Sequence, residues 1–587
     1  MRMMRWIACV HAVALSVLVV CGAVAAPAPV QVAESRRGMI VTQQALATEA
    51  GVEVLRAGGN AVDAAVAAAF ALAVVHPQAG NLGGGGFLMF VRARDSLATC
   101  IDFRETAPAR AHRDVYLDAR GEVDTTLVRI GHASAGVPGT PAGLYLAWSK
   151  YGSRPWRSLI APALKLAQDG FAVNEELARI LTSEYKIYGR FPASRDLFAP
   201  NGRPLRAGDK LVQKDLARTL RLLATSGPLT FYEGAVADLL VKEVQRAHGL
   251  LSAADLAAYR AVERVPLRGR YRDLDLFVPP PPSSGGVTLL QMLAMLEPND
   301  LAAMRPLGAP RVHLSVEVMT RAFADRATYL GDPDFVRVPI AGLLASAYIA
   351  SRREGLGLER ATPGVGPGDA WRFTPNGIAP VGSRRDSAAA MSGAGGNTTH
   401  LSVVDVHGNC VALTTTLNAE MGSGVLVPGA GFLLNNEMDD FSSKAGAPNQ
   451  YGLVGTDANA IAPGKRMLSS MTPTIVRRAG KPWLVLGSRG GPRIITAVMN
   501  VLLDVRDGSV PLRDAIAAPR FHHQWQPNLL WHEPNAFNDA TRSDLQRLGH
   551  VLQERSRYGG INAIEITPDG TRRGVADPRS PGSAAGQ

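Results

Sequence analysis

The chain has 587 residues, 46% of them hydrophobic and 19% charged, with a formal net charge of +11. Such a balance excludes a disordered or low-complexity chain and leaves length for one large interlocked core or several smaller ones. The positive charge comes from scattered arginines rather than runs, which reads as a solvated cationic surface, and no nucleic-acid motif accompanies it.

Residues 1–25 read as a signal peptide. Arg2 and Arg5 give a basic start, Ile7 to Val20 an apolar centre, and Ala23-Val24-Ala25 a small-residue cleavage site. The apolar run is short for a membrane span, so the mature protein is expected to be periplasmic or secreted without one. Removal of this leader takes Cys9 and Cys21 with it and leaves Cys100 and Cys410. Both lie in apolar runs and read as buried thiols, one bridge being the alternative; two cysteines make no disulfide framework.

Ala45 to Arg56 predicts a helix closed by Gly58-Gly59, and Ala61 to Val75 an alanine-rich packed helix stopped before His76-Pro77. Phe87 to Val91 and Thr99 to Phe103 predict strands; Leu144 to Tyr151 and Leu159 to Gln168 predict helices. Residues 175–355 are mainly helical by pattern, interrupted by the stiff turn Pro279 to Gly286 before a helix at Val287 to Leu296. Residues 356–396 shift to Gly, Pro, Ala and Ser and read as a loop or linker.

Beyond that linker the chain turns β-rich. Leu401 to Asp405 and Cys410 to Thr414 are strand-like, with His407-Gly408 as a two-residue turn. Pairing Val406 with Asn409 then sets Thr398 opposite about Leu417, with Thr416 and Asn418 alongside. Further strands are expected at Phe432 to Leu434, Thr474 to Val476 and Trp483 to Leu486, and a helix at Ile494 to Val505. No repeat of 20–50 residues is present. Helical stretches around a β-rich centre point to a layered protein whose two parts, before and after position 397, share one core.

Thr398 is the most informative residue. It opens a strand after flexible chain, where an N-terminal nucleophile would stand after self-cleavage. Threonine is a weak nucleophile, and a free α-amine on the same residue would supply the general base. The alternative is a polar strand end.

Gly487 to Pro492 lies between a strand and a helix, and its glycine N–H groups would suit a developing oxyanion or make a plain tight turn. Arg104, ending a strand, offers a fork for a carboxylate or an ordinary ion pair. Asn435 to Phe441 concentrates acids that could hold an ammonium, cap a turn or bind a metal, and Ser469-Ser470 could donate two hydroxyls. Leu82 to Phe87 lacks the lysine of a phosphate loop and reads as close backbone packing or a substrate-adjacent loop. His522-His523 lacks the surrounding ligand spacing of a metal site.

Taken in order, GGNAVDAAVA (58–67), HPQAGNLGGGGF (76–87), DFRETAP (102–108), PPPPSSGG (279–286), NTTHLSVVD (397–405), TTTLN (414–418), LLNNEMDDF (433–441), RMLSSMTPTI (466–475), SRGGPRI (488–494) and PRFHHQW (519–525) span the mature chain. This set resembles the bacterial secreted γ-glutamyltransferases. The resemblance implies an α/β fold of the four-layer αββα N-terminal-nucleophile type, and a precursor that cuts itself at Asn397–Thr398. Its pieces would be a large subunit, 26–397, and a small catalytic one, 398–587, joined as a heterodimer.

The implied chemistry is attack of Thr398 on the γ-amide of glutathione or a related donor, then release to water or to an amino acid or dipeptide. Thr416 matches the threonine bonded to the nucleophile's amine, and Gly490 and Gly491 match the oxyanion hole. Arg104, Ser469 and Ser470 match the α-carboxylate clamp; Asn418, Glu437 and Asp440 match the groups around the α-amine. The donor's zwitterionic end is expected to need a cation and anions at opposite ends. Residues 441–452 resemble a lid, with Tyr451 closing over Asn418. No cofactor, metal or nucleic acid is implied. Glu437 stands where some members carry Gln, and Arg489 and Pro492 are flanking types that vary. The alternatives are a cephalosporin acylase of the same fold, which lacks the counterpart of Asp440 and the lid, and a non-catalytic secreted relative.

Overall fold

The structure, a computed structural model, describes residues 30–375 and 398–587; the leader, most of the linker and Asn397 lie outside them. Its centre is a pair of packed seven-stranded sheets. We label their strands β1 (Gln31–Ser35), β2 (Met39–Thr42), β3 (Gly85–Val91), β4 (Ala98–Asp102), β5 (Val262–Arg264), β6 (Leu267–Tyr271), β7 (Leu274–Val278), β8 (Thr398–Val404), β9 (Cys410–Thr416), β10 (Thr474–Arg478), β11 (Lys481–Gly487), β12 (Asn562–Ile566), β13 (Arg572–Ala576) and β14 (Ser583–Gly586). One sheet runs β14-β2-β8-β9-β3-β4-β5 and the other β1-β13-β12-β11-β10-β7-β6. Each draws strands from both sides of position 397, so the two parts of the chain share their core.

Strand periodicity divides the layers. Leu401 and Val403 of β8 face outward onto helices α1 (Ala45–Arg56) and α2 (Ala61–Val75). Val404, Cys410 and Ala412 face inward against Ile475, Val485 and Ile564 of the second sheet. That sheet's other face packs on α3 (Gly285–Leu296), α4 (Ala309–Tyr329) and α5 (Arg493–Arg506). Four layers result, αββα. Every residue of α2 is buried. The Asn60 side chain accepts from the Val62 and Asp63 N–H groups, while Asp63 accepts from Asn60, a reciprocal cap that fixes where the helix starts.

The β8–β9 hairpin differs from the sequence expectation by one residue. Val404 pairs with Cys410 and Thr398 with Thr416, not Leu417. The cause is a three-residue loop, Val406-His407-Gly408, in place of a two-residue turn. Gly408 takes φ 81° and donates to the Asp405 carbonyl. Asp405 organises this loop: its carboxylate accepts from the His407 and Asn409 N–H groups and from Ala61 N at the start of α2.

Two further expectations change. Phe432 to Leu434 is not a strand but a run with isolated bridges to Gly83 and Leu426. The mainly helical middle carries three strands of the two central sheets, β5 to β7. Cys100 and Cys410 are separate buried thiols, as the first of the two readings held. No helix of the described residues is long and apolar enough to cross a membrane.

Candidate active site

Thr398 heads β8 with its side chain on the inter-sheet side, the same side as His400 and Val404. Its Oγ1 lies 3.3 Å from Thr416 Oγ1, directly across the hairpin. Thr416 Oγ1 accepts from Asn418 N at 2.8 Å. The strand end is held from below by Asn81, whose amide donates to the Thr416 carbonyl and to Thr415 Oγ1. A side chain on Gly84 or Gly86 would collide with the carbonyls of Thr416 or Thr414, so the glycine run serves close backbone packing.

Around Thr398 a cavity is lined by Arg104, Thr416, Asn418, Glu437, Asp440, Tyr451, Ser469, Ser470, Met471, Gly491 and Ile494. Ten of the eleven expected site residues therefore converge on one space, from segments up to 387 positions apart. Gly490, the eleventh, is the buried neighbour of Gly491.

Gly490 and Gly491 form the turn between β11 and α5, with φ of 124° and 60°. Both values favour glycine, and a side chain on Gly491 would stand 3.0 Å from the Tyr451 ring. Among the described residues, neither N–H donates to a protein acceptor, so both are available to a ligand oxygen. Asn418 is also left-handed, at φ 77°, which Asn tolerates better than most residues. The Tyr451 hydroxyl donates to its carbonyl at 2.7 Å, which sets the Tyr451 ring against this wall.

The charged end departs from the expected arrangement. Cation and anions are in direct contact rather than at opposite ends. Arg104 Nη1 lies 2.6 Å from Glu437 Oε2, and Nη2 lies 2.6 Å from Asp440 Oδ2. Glu105 Oε2 is 3.4 Å from Nη1, while the Met467 and Leu468 carbonyls accept from Nε and Nη2. Burial opposes the Arg104 charge, but Glu437, Glu105 and Asp440 together hold its pKa above the ordinary guanidinium value. Burial also pushes Glu105 up to about 7 and Glu437 well up, against the pull of Arg104. Three carboxyl groups around one guanidinium make this end anionic when they ionise. Glu437 Oε1 and Glu105 Oε1 are buried without a hydrogen-bond partner in the structure.

The family model described as gamma-glutamyltranspeptidase matches residues 47–587. The chain belongs to that family. The chain is 45% identical to the glutathione hydrolase proenzyme of Escherichia coli (strain K12), over 93% of this chain and 91% of that protein. Among solved structures it is similar to a cephalosporin acylase from Bacillus halodurans, with TM-score 0.83 and 27% identity, covering 97% of this chain and 99% of that one. It is also similar to the Helicobacter pylori gamma-glutamyltranspeptidase, with TM-score 0.54 and 40% identity, covering 55% of this chain and 92% of that one. These neighbours fit the expected N-terminal-nucleophile architecture.

His522 and His523 stand apart from this cavity. His522 bonds Thr496 and Gln524; His523 bonds Thr320 and Asn528. Each ring nitrogen is thus engaged by a neutral side chain, and burial lowers the two pKa values to about 3 and about 4. Among the described residues no group of three or more His, Cys, Asp or Glu side chains could hold a metal.

Three residues at the site were not assigned from sequence: Met471 and Ile494, which line the cavity, and Glu105, which contacts Arg104. All three sit inside quoted motifs, so the signal was present without a role.

Proposed function

We propose that this chain is a secreted or periplasmic precursor that cuts its Asn397–Thr398 bond and then works as a γ-glutamyl transferase and hydrolase. The products would be residues 26–397 and 398–587, held together as a heterodimer. The observation that carries this reading is the convergence of Thr398, the Gly490–Gly491 turn and the Arg104–Glu437–Asp440 cluster on one cavity.

In the cleaved enzyme the Thr398 α-amine takes the proton from its own Oγ1 as that oxygen adds to the γ-carbonyl of glutathione or a related donor. Thr416, across the hairpin, orients the amine. The Gly490 and Gly491 N–H groups receive the oxyanion. The tetrahedral adduct collapses and the leaving amine departs with the proton, leaving a γ-glutamyl ester on Thr398. Water then releases glutamate, or the amine of an amino acid or dipeptide takes the acyl group. Glu437, Asp440 and Asn418 hold the donor's ammonium, and Ser469, Ser470 and Arg104 its α-carboxylate. Clamping both groups fixes the γ-carbon over Thr398, where orientation supplies much of the rate. Tyr451 and its loop cover the ester.

The likeness to a cephalosporin acylase keeps a second reading in view. Asp440 on Arg104 and Tyr451 on Asn418 favour the γ-glutamyl donor, because an acyl group without an α-amine has no use for that anionic end. The test is an intact mass of the purified protein, then initial rates with γ-glutamyl and glutaryl anilides. Two fragments meeting between Asn397 and Thr398, with the γ-glutamyl anilide preferred, are expected. Preference for the glutaryl anilide would establish the acylase reading, and an uncut chain inert toward both would refute catalysis.

A further inference from the structure

The N–H groups of Gly490 and Gly491 each belong to a peptide plane whose other end is a carbonyl. A trans peptide is flat, so whatever holds the carbonyl also aims the N–H, which points the opposite way. The Gly490 N–H shares its plane with the Arg489 carbonyl, which accepts from Ser488 Oγ at 2.9 Å. The Gly491 N–H shares its plane with the Gly490 carbonyl, which accepts from Arg493 Nε at 3.0 Å. Each plane is thus held at its far end by a side chain.

These planes need holding. Gly490 and Gly491 take φ of 124° and 60°, and glycine on both sides of a peptide removes the Cβ contacts that would otherwise resist its rotation. The two latches are themselves fixed. Ser488 is fully buried, and its Oγ also accepts from Gly560 N at 3.4 Å. Arg493 opens α5 with its guanidinium over the Tyr558 ring, 5.3 Å from the centroid. The turn as a whole is anchored by other groups. Arg489 Nη1 lies 2.7 Å from Glu176 Oε1, from the other side of position 397, and its Nη2 and Nε donate to the carbonyls of Arg579 and Gly559. Losing a latch should therefore free a plane to rotate without moving the turn.

We propose that Ser488 and Arg493 are positioning residues for the oxyanion, the first aiming the Gly490 N–H and the second the Gly491 N–H through the carbonyl of each plane. Neither is among the residues that line the cavity, so their effect reaches the reaction through the two peptides. The proposal rests on the γ-glutamyl reading above and deepens it, since that reading names the two N–H groups but not what orients them. The oxyanion exists only once Thr398 has added to the γ-carbonyl. The latches therefore act on the transition state and leave binding of the donor little changed.

The test uses Arg493→Met and Ser488→Ala, which remove one latch each, with a γ-glutamyl anilide as donor. In each, kcat should fall about 10- to 100-fold, less than for outright loss of an oxyanion donor, and KM should stay within about twofold. Two competitive inhibitors separate aiming from general damage. One is the analogue of the glutamyl group with a boronic acid at the γ-position: Thr398 Oγ1 adds to boron, its proton passes to the α-amine, and a tetrahedral anion results. Its Ki should rise by the same factor as kcat falls. The other is 2-aminobutanoate, which has the α-carboxylate and α-ammonium but no γ-oxygen, and its Ki should stay within about twofold. Arg493→Lys keeps an N–H for the Gly490 carbonyl and should recover part of the loss. If one variant does not mature, the other carries the same comparison; failure of both would mean that the contacts are structural and would overturn the inference. Equal weakening of both inhibitors, or unchanged kcat and boronate Ki, would also overturn it. A wild type that matures but neither turns over the anilide nor binds the boronate would instead overturn the γ-glutamyl reading itself.

Discussion

Replacing Asp440 by Asn removes one anion while keeping shape. Asp440 Oδ2 lies 2.6 Å from Arg104 Nη2, and its side chain is 15% exposed, so solvent screens little of the contact. A hydrogen bond to a charged group contributes about 1.5–3 kcal/mol. Full loss of a buried pair would cost about 3–5 kcal/mol. That larger figure does not apply, because Glu437 remains 2.6 Å from the same guanidinium. For the donor, half of the carboxylate set facing its ammonium disappears. An effect of about 1.5–3 kcal/mol corresponds to a fall of about 10- to 150-fold in kcat/KM. Self-cleavage should proceed at the wild-type rate, since Asp440 has no bond to Thr398 or Thr416. Initial rates with a γ-glutamyl anilide measure the first quantity, and fragment appearance on denaturing gels the second. Equal donor kinetics in variant and wild type, or parallel loss of cleavage and turnover, would refute the reasoning.

Gly491→Ala places a side chain at φ 60° and against the Tyr451 ring; we expect kcat to fall at least tenfold with KM less affected, as for a displaced oxyanion donor, and unchanged kcat would argue against that role. Tyr451→Phe removes the 2.7 Å bond to the Asn418 carbonyl, which should cost about 0.5–1.5 kcal/mol of lid closure, read as faster proteolysis within residues 441–452. Burial raises the Glu105 pKa to about 7 from 4.5, so between those values the folded protein holds a proton that the unfolded chain has lost. Stability should therefore fall as pH rises from about 4.5 to 7, and Glu105→Gln should flatten that slope in Tm measured across the range. The two fragments should co-elute in gel filtration without denaturant; separate elution would contradict a shared core.

Elements were legible where local chemistry sets both ends. Ala61 to Val75 emerges with its expected bounds because Asn60 and Asp63 cap its start and His76-Pro77 closes it. Ala45 to Arg56 is the same case. The hairpin register slipped by one because the third loop residue depends on Gly408 entering the left-handed region, which the pattern of flanking strands does not reveal. Ser583–Gly586 carries no strand composition at all; it is a strand only because it pairs with Met39–Thr42. At the site, the expected residues were legible through motifs. The direct contact between Arg104 and its acids was not, because it depends on burial of segments far apart in sequence.

The arrangement also constrains when the site can form. Thr398 does not head an edge strand. It starts β8, which is flanked by β2 on one side and β9 on the other, while β9 pairs along its whole length with β3. Both β2 and β3 precede position 397, and Arg104 follows β4 by two residues. The cavity therefore cannot be assembled by residues 398–587 alone. A break of the chain at 397/398 would cut neither sheet, because it falls before the first ladder bond of β8. What it would change is the group on the Thr398 nitrogen, from an amide with no basic lone pair to an amine that can accept a proton. Folding would thus come first, with the strands and the Arg104 cluster in place, and cleavage would add the one missing base to a site already built.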